Sequence, residues 1–385
     1  MRNKKVAIAG IGLTKQSKSL EENNLTICIK AVEQALIDAG MQLEEIDGIS
    51  GRWPGPGGTK FDPGVVDWTG VFGKSFRWVG DTYPQGVPGI LDAAAAVSFG
   101  LCNSAIVFGG QAGVLNTSKL ADYTQPNNEF IQPWGFFTAA HFAMVAQVYF
   151  ARFKPSREKL SQIAVDIRNA GSRNPEAVMY GKGPYGVSDI VDSPLICDPF
   201  HLLDLCLATE GASAILITSL ERALDCPNDP IRILGGASEW HRQQYVDPVR
   251  YDEVGSIGKD AFSRAFATAA LTPEDIDVYE LYDINTWEVV RQFETLGLCA
   301  EGDGVDFLFE NGISVDGKYP TNTDGGLLSF SHTGWGGPNL KIIEAVRQLR
   351  STSTGDQIKD AETALVTGAG SGAQYFNAAI LSKNR

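Results

Sequence analysis

The stretch Ala364-Leu-Val-Thr-Gly-Ala-Gly-Ser-Gly372 has a counterpart earlier in the chain, Ala105-Ile-Val-Phe-Gly-Gly-Gln-Ala-Gly113. Each begins as an apolar run, which favours a buried strand, and ends in glycines, which permit a tight turn. Each also follows a segment with helical periodicity, residues 89–99 in one case and 340–350 in the other. The recurrence of helix, strand and glycine turn predicts two similar units.

Two further pairs of segments recur in the same order. Residues 6–12 (VAIAGIG) and 231–237 (IRILGGA) each open a half with a strand. Residues 31–50 and 261–280 each combine alanines spaced by four, typical of one helical face, with an acidic turn and a strand. Unrelated strand–helix units can resemble one another, but three pairs in one order favour duplication. The residues identical at an offset of 230 are Ala31/Ala261, Ala35/Ala265, Ala39/Ala269, Glu44/Glu274, Ile46/Ile276 and Asp47/Asp277.

The fold predicted from these repeats is α/β, with two pseudo-symmetric βαβαβ-type halves at residues 1–225 and 230–385. We expect a five-stranded sheet in each half, with helices layered on both faces. The first half carries an insertion at about 115–199. A long insertion beside a glycine-turn edge is expected to cover a functional site or a dimer interface.

The composition restricts the class of function. The net charge of −14 argues against a nucleic-acid partner, and 43% hydrophobic with 20% charged residues is typical of a soluble globular protein. No apolar run reaches membrane-spanning length. The six cysteines are scattered without Cys-x-x-Cys pairing, so neither a metal site nor a disulfide framework is indicated. Reduced cysteines favour a cytoplasmic protein.

Several motifs, most of them in the second half, resemble those of the thiolase superfamily. Within it, the chain is similar to the sterol-carrier-protein-X type and its lipid-transfer-protein relatives over nearly its whole length. The resemblance implies a thiolase fold in a layered αβαβα arrangement and a homodimer. The motifs are Glu280-Leu-Tyr-Asp283, Gly297-Leu-Cys299, Asn322-Thr-Asp-Gly-Gly326, Ser331-His332 and Gly368-Ala-Gly-Ser-Gly372.

The two cysteines that thiolases use are absent from the corresponding positions. The acyl-accepting cysteine would lie near Tyr83-Pro-Gln-Gly86, and the proton-shuttling cysteine would lie in Val366-Thr-Gly368. Tyrosine, proline and glutamine cannot replace a thiolate at a helix N-terminus. We therefore expect no thioester exchange through an acyl-cysteine.

The resemblance implies that Tyr282 and His332 are the catalytic residues. A phenol and an imidazole can act as acid, base or hydrogen-bond donor to a developing enolate. Backbone N–H groups at Gly370 and Gly372 are expected to bind a thioester oxygen. The alternatives are that Tyr282 packs on the core and that His332 only binds the backbone of its glycine turn.

Asp283 and Asp324 lie close in sequence to the two candidate catalytic residues. Either carboxylate can orient Tyr282 or His332 from behind the site. The alternative, that each caps a turn, is at least as well supported by the sequence.

The same motifs are similar to those of cysteine-less steroid side-chain-cleaving aldolases, which share Tyr282 and the run Gly325-Gly-Leu-Leu-Ser329. Members of that group can carry tyrosine where this chain has His332, so the order of acid and base stays open. The resemblance implies retro-aldol cleavage of a β-hydroxyacyl-CoA thioester, with coenzyme A as part of the substrate and no covalently bound cofactor or metal. It also implies a small partner built of an OB-fold and a zinc ribbon.

Three other functions remain open at this stage. The chain can be a non-catalytic lipid or acyl-CoA carrier, a thiolase-like condensing enzyme, or a structural subunit of a larger complex. Trp134, Phe136 and Phe137 in the insertion suit a bulky apolar substrate or a dimer interface equally. Basic residues of the insertion, namely Arg168, Arg173 and Lys182, can meet coenzyme A phosphates or be solvated surface charges.

Overall fold

The computed structural model describes residues 4–51, 64–80, 86–113, 138–241, 254–334, 337–370 and 375–384. The first half consists of β1 (Val6–Leu13), α1 (Asn24–Ala39), β2 (Gly48–Gly51), α2 (Asp67–Phe72), β3 (Trp78–Gly80), α3 (Val87–Phe99), β4 (Ser104–Gln111), α4 (Thr138–Phe153), α5 (Arg157–Arg173), α6 (Val187–Val191), β5 (Leu195–Cys197), β6 (Phe200–His201), β7 (Gly211–Ser219) and α7 (Leu220–Ala223). The second half consists of β8 (Ile231–Trp240), α8 (Lys259–Ala269), β9 (Val278–Glu280), α9 (Thr286–Leu296), α10 (Gly304–Asn311), α11 (Gly337–Arg350), β10 (Thr363–Gly370) and β11 (Tyr375–Ser382).

The strand order confirms the internal duplication. The large sheet runs β3-β2-β4-β7-β1-β8-β11-β10-β9, so both halves have the same order when read outward from the β1–β8 contact. β4 pairs in parallel with β2 and antiparallel with β7, and β10 pairs in parallel with β9 and antiparallel with β11. The strands that begin at Ala105 and Ala364 in the sequence repeats are therefore equivalent.

The sheet differs in one respect from the predicted pair of five-stranded sheets. The described part of the second half contributes four strands, because the position equivalent to β3 is occupied only by a single parallel bridge between Thr321 and Tyr279 of β9. The halves are also joined, since Ala7 pairs with Arg232 and Ile8 pairs with Ile231. Backbone pairing between β1 and β8 satisfies edge groups that two separate sheets would expose.

The layers are those of the predicted αβαβα arrangement. α3 and α11 contact strands of both halves and each other, and their buried side chains form one apolar cluster between the two halves of the sheet. α1 packs on the opposite face of the first half, and α8 packs on the opposite face of the second. The two central helices therefore lie between the halves.

The repeated alanines explain the close packing of α1 and α8. Ala31 and Ala265 are fully buried on the faces that contact β1 and β8. A Cβ added to Gly12 would overlap the carbonyl oxygen of Ala31, and one added to Gly235 would overlap that of Ala265. Small residues are required on both sides because the backbones approach within van der Waals contact. The alanine spacing seen in the sequence thus reflects the same contact made twice.

The described part of the insertion packs against the segment that leads to His332. Val178 N–H donates to the Phe330 carbonyl at 2.9 Å, and Met179 N–H donates to that of Ser329 at 3.2 Å. The Asn174 side chain donates to the Asp324 carbonyl at 3.1 Å. That the whole insertion covers the functional site stays a prediction. The division of the halves between residues 225 and 230, after α7, also stays a prediction.

Among the described residues, no helix has the length and apolarity needed to span a bilayer.

Candidate active site

Tyr282 follows β9 and is held through its backbone on both sides. Its N–H donates to Thr367 Oγ1 at 2.9 Å, and its carbonyl accepts from Gln292 Nε2 at 3.0 Å. Thr367 Oγ1 in turn donates to Gln292 Oε1 at 2.5 Å, which closes a ring of hydrogen bonds between β10 and α9. Because the ring fixes the Tyr282 backbone, the phenol projects from a rigid support.

His332 follows a wide helical turn, Gly326–Phe330, and is held by the segment before β7. Its N–H donates to Thr209 Oγ1 at 2.8 Å, and its carbonyl accepts from Thr209 N–H at 3.2 Å. The neighbouring Ser331 hydroxyl lies 2.8 Å from Thr209 Oγ1 and 2.8 Å from Gln16 Oε1. These contacts place the imidazole where the two halves of the chain meet.

The structure brings Tyr282 and His332 together. Their ring centroids are 6.3 Å apart with an interplanar angle of 75°. Tyr282 is 6% exposed, and His332 is half-buried. An edge-to-face pair at this separation allows both polar ends to reach the same small group of substrate atoms.

The surroundings of His332 favour its neutral form. Although the residue as a whole is half-buried, its imidazole is surrounded by protein, and this burial lowers its pKa to about 4. The hydrogen bond to the Leu207 backbone opposes that shift, while the positive charge of Lys341 reinforces it. At neutral pH the imidazole is uncharged and offers one N–H donor and one acceptor nitrogen.

Cys206 is a component of the site that sequence reasoning missed. Its Sγ lies 3.5 Å from His332 Nδ1, although the two residues are far apart in the chain. Burial raises the pKa of the thiol to about 12, so it stays protonated at neutral pH and is a poor nucleophile. Nothing in the local sequence around Cys206 signals this contact, which depends on the packing of the whole fold.

Asp283 and Asp324 bind the backbone of the turn before His332. Asp283 accepts from Leu327 N–H at 2.9 Å and from Leu328 N–H at 3.2 Å, and Asp324 accepts from Gly326 N–H at 2.7 Å. Both carboxylates thus make the turn-capping contacts that were the alternative in the sequence analysis. They act on the segment that carries His332, and Asp283 also follows Tyr282 directly.

The glycine turn after β10 is described only at its start. Gly370 pairs with Tyr375 between β10 and β11, and the Tyr375 hydroxyl occupies the space that a Cβ on Gly370 would need. Gly372 lies outside the described residues, as do Tyr83 and the insertion aromatics Trp134, Phe136 and Phe137. Binding of an oxyanion by Gly370 and Gly372 stays a prediction.

The basic residues of the insertion have different surroundings. Arg168 is 1% exposed and donates to the carbonyls of Leu203 and Leu205 at 2.7 and 3.0 Å, so it is a buried structural residue. Arg173 forms an ion pair with Asp356. Lys182 lines an open groove of about 730 Å³ together with Lys15 and Lys18.

Within the described ranges, no group of three or more acidic, histidine or cysteine side chains is arranged to hold a metal ion.

Comparison with known proteins identifies the family. Residues 249–383 match the family model described as "Thiolase C-terminal domain-like". The 17-hydroxy-3-oxo-4-pregnene-20-carboxyl-CoA lyase of Mycobacterium tuberculosis is 32% identical, over 97% of this chain and 98% of its own length. The steroid side-chain-cleaving aldolase of Thermomonospora curvata is 31% identical, over 95% of each chain.

A solved structure of an Ltp2-ChsH2(DUF35) aldolase superposes with a TM-score of 0.84 at 29% identity, covering 100% of this chain and 99% of the other. The sequence and structural similarities thus agree along the whole molecule. The chain belongs to the thiolase superfamily, in the group of thiolase-like aldolases that contains these relatives.

Proposed function

We propose that this protein is a carbon–carbon lyase that cleaves a β-hydroxyacyl-CoA thioester of a steroid side chain by a retro-aldol reaction. The names of the two relatives, a steroid CoA lyase and a steroid side-chain-cleaving aldolase, support the substrate class. The observation that carries the proposal is the Tyr282–His332 pair, with ring centroids 6.3 Å apart. A carrier that only binds its ligand does not require a paired phenol and imidazole.

In the proposed reaction, the Tyr282 oxygen, as the phenolate, takes the proton of the β-hydroxyl group. The bond between the α and β carbons breaks, the β carbon leaves as a ketone or an aldehyde, and the electron pair becomes a thioester enolate. The protonated Tyr282 then returns a proton to the α carbon. The products are a carbonyl compound and a shortened acyl-CoA, so atoms and charge balance.

His332 is proposed to stabilise the enolate oxygen. A histidine whose pKa burial lowers to about 4 is a weak base at neutral pH. In the proposed tautomer Nδ1 accepts from the Cys206 thiol and Nε2 carries the single N–H, which donates to the enolate oxygen. Donors aimed at a developing oxyanion in a partly desolvated site contribute strongly to catalysis. Backbone N–H groups at Gly370 and Gly372 are proposed to share this role, and Asp283 and Asp324 to position the turn. No bound cofactor is assigned, and coenzyme A enters as part of the substrate.

A matched pair of thioesters tests the proposal. The purified protein is incubated with a β-hydroxyacyl-CoA and with the β-ketoacyl-CoA of the same steroid side chain, with and without free coenzyme A. A retro-aldol lyase cleaves the hydroxy compound without free coenzyme A. A condensing or thiolytic enzyme acts on the keto compound only when coenzyme A is added. A carrier binds both and changes neither, which would end the proposal.

We further propose that the chain forms a homodimer that associates with a small OB-fold and zinc-ribbon protein in the cytoplasm. The name of the similar structure, an Ltp2-ChsH2(DUF35) aldolase, pairs two components and supports a heteromeric complex. Light scattering at micromolar concentration, with and without such a partner, measures the assembly. A strict monomer that never binds a second protein would contradict both parts of this proposal.

A further inference from the structure

A single buried lysine lies beneath the candidate site. Lys341, on α11, is 1% exposed, and its Nζ lies 3.1 Å from Asp283 Oδ1 and 3.4 Å from Glu280 Oε2. Asp324 also faces this charge and is buried, and the buried Glu344 acts on Glu280 rather than on the lysine. A fully buried ammonium group is costly unless carboxylates compensate for its lost hydration. The burial of Lys341 therefore indicates that a particular carboxylate compensates for the charge of its ammonium group.

The hydrogen bonds of Asp283 identify it as that partner. Asp283 Oδ1 receives Leu327 N–H and the Lys341 ammonium, and Oδ2 receives Leu328 N–H. All three of these partners are donors. Burial raises the pKa of Asp283, and the Lys341 charge and the two N–H groups oppose that rise. Because a proton on the carboxyl group would displace one of the three donors, the geometry fits the ionised form.

Asp283 connects the two residues of the candidate catalytic pair. It follows Tyr282 directly in the chain, while the two N–H groups it accepts belong to Gly326–Phe330, which leads to His332. The contact requires a glycine at position 326, because a Cβ there would overlap Asp283 Oδ2. The separation of the phenol and the imidazole thus depends on an ionised Asp283.

We propose that Lys341 is a positioning residue for the Tyr282–His332 pair. Its ammonium group keeps Asp283 ionised in a buried environment, and the ionised carboxylate holds the turn that presents His332 at a fixed distance from Tyr282. This inference rests on the proposed function for its catalytic consequence. The anchoring of the turn can be measured without any substrate.

The first test is Lys341→Met, which keeps an unbranched side chain but removes the charge. Without its counter-ion, Asp283 takes up a proton and can no longer accept both N–H groups. We expect kcat to fall by about tenfold or more while KM changes by less than about threefold, because misplaced catalytic groups lose interactions made in the transition state. Lys359→Met, at a 91% exposed lysine, is the matched control and leaves kcat and KM unchanged.

A double variant separates positioning from stability. The single variant Lys341→Met should also lose Tm, because Asp283 must take up a proton to remain buried without its counter-ion. In Lys341→Met with Asp283→Asn, position 283 is neutral without taking up a proton, so the Tm recovers part of that loss. The side-chain oxygen of an asparagine at position 283 accepts one of the two backbone N–H groups. Its NH2 group is itself a donor, so it cannot accept the other N–H. We therefore expect kcat to stay low although the Tm rises. If kcat recovers together with the Tm, Lys341 is only a structural residue and the inference is wrong.

Amide hydrogen exchange provides a readout that does not need activity. In Lys341→Met we expect faster exchange in peptides covering residues 322–334, with peptides from α1 and β7 unchanged. Unaltered exchange at 322–334 would overturn the anchoring inference even if the protein is an active lyase. Faster exchange in a protein that cleaves no thioester would support the anchor and reject the proposed function. The two failures are therefore distinguishable.

Discussion

At the scale of single residues, the proposed function assigns complementary chemistry to Tyr282 and His332. Tyr282 is fixed through its backbone by Thr367 and Gln292, and His332 is held by Thr209. The imidazole is kept neutral by burial, which suits a donor to an oxyanion. In the proposed reaction, the phenol is the group that exchanges the proton.

Replacement of either residue should remove most of the activity. We expect Tyr282→Phe and His332→Ala each to lower turnover by about a hundredfold or more, as losing an acid–base or oxyanion group does. Circular dichroism and Tm measurements check that folding is intact. Cys299→Ala is the control, with turnover nearly unchanged.

Cys206→Ser should lower turnover by less than about tenfold, because the serine hydroxyl preserves a hydrogen bond to His332. A larger loss in Cys206→Ser than in Tyr282→Phe would contradict these roles.

The pH dependence of the reaction tests the state of His332. Its pKa in the folded protein is about 4, below the ordinary value of 6.5, so the neutral form persists as pH falls through 6.5. We therefore expect kcat/KM to show no acid limb near 6.5 that belongs to this residue. The profile is measured from pH 5 to 8 for the wild type and for His332→Gln. An acid limb near 6.5 that disappears in the variant would show that the imidazole titrates as in water.

Sequence reasoning proposed Tyr282, His332, Asp283 and Asp324 as candidates because the motifs around them are local, and the structure places the first two side by side. It could not identify Cys206 or Lys341. Cys206 meets His332 through a contact across 126 positions in the chain, and Lys341 looks like an ordinary polar residue of an amphipathic helix. Their surroundings are set by packing between the halves, which local patterns do not encode.

At the scale of elements, α11 is unusual for the charges it buries. It carries Lys341 and Glu344, both almost fully inaccessible, beneath the turn that precedes His332. The sequence predicts the amphipathic character of this helix. It does not predict that the helix lies between the two halves, where its polar side chains are also enclosed.

Glu344 makes stability depend on pH in a specific direction. Burial, reinforced by the charge of Asp324, raises its pKa from 4.5 to about 8. Between these values the folded state binds a proton that the unfolded chain has released. Stability therefore falls as pH rises from about 4.5 to 8.

The variant Glu344→Gln should remove that dependence. A neutral amide replaces the protonated carboxyl group and can keep the hydrogen bonds to Ser353 and Gln348. We expect its Tm to exceed that of the wild type at pH 8, by roughly 1 °C if about 1 kcal/mol is recovered, with little difference near pH 5. Thermal unfolding at both pH values measures this, with the exposed Glu33→Gln as control. An equal difference at the two pH values would contradict the assignment.

At the scale of the whole molecule, the internal repeats predicted the duplicated halves and the equivalence of β4 and β10. The alanines of the repeats mark the helix faces that contact glycines of β1 and β8. The β1–β8 pairing and the four described strands of the second half were not predicted, because edge pairing depends on how two completed units meet.

The central claim is cleavage of a carbon–carbon bond without an acyl-cysteine intermediate. Its most direct test is one mass-spectrometric measurement on a reaction quenched during turnover, containing the protein and a β-hydroxyacyl-CoA of a steroid side chain but no free coenzyme A. The account predicts a carbonyl product, a shortened acyl-CoA and protein at its unmodified mass. An acyl adduct on Cys206 or another cysteine, or products that form only when free coenzyme A is added, would contradict it.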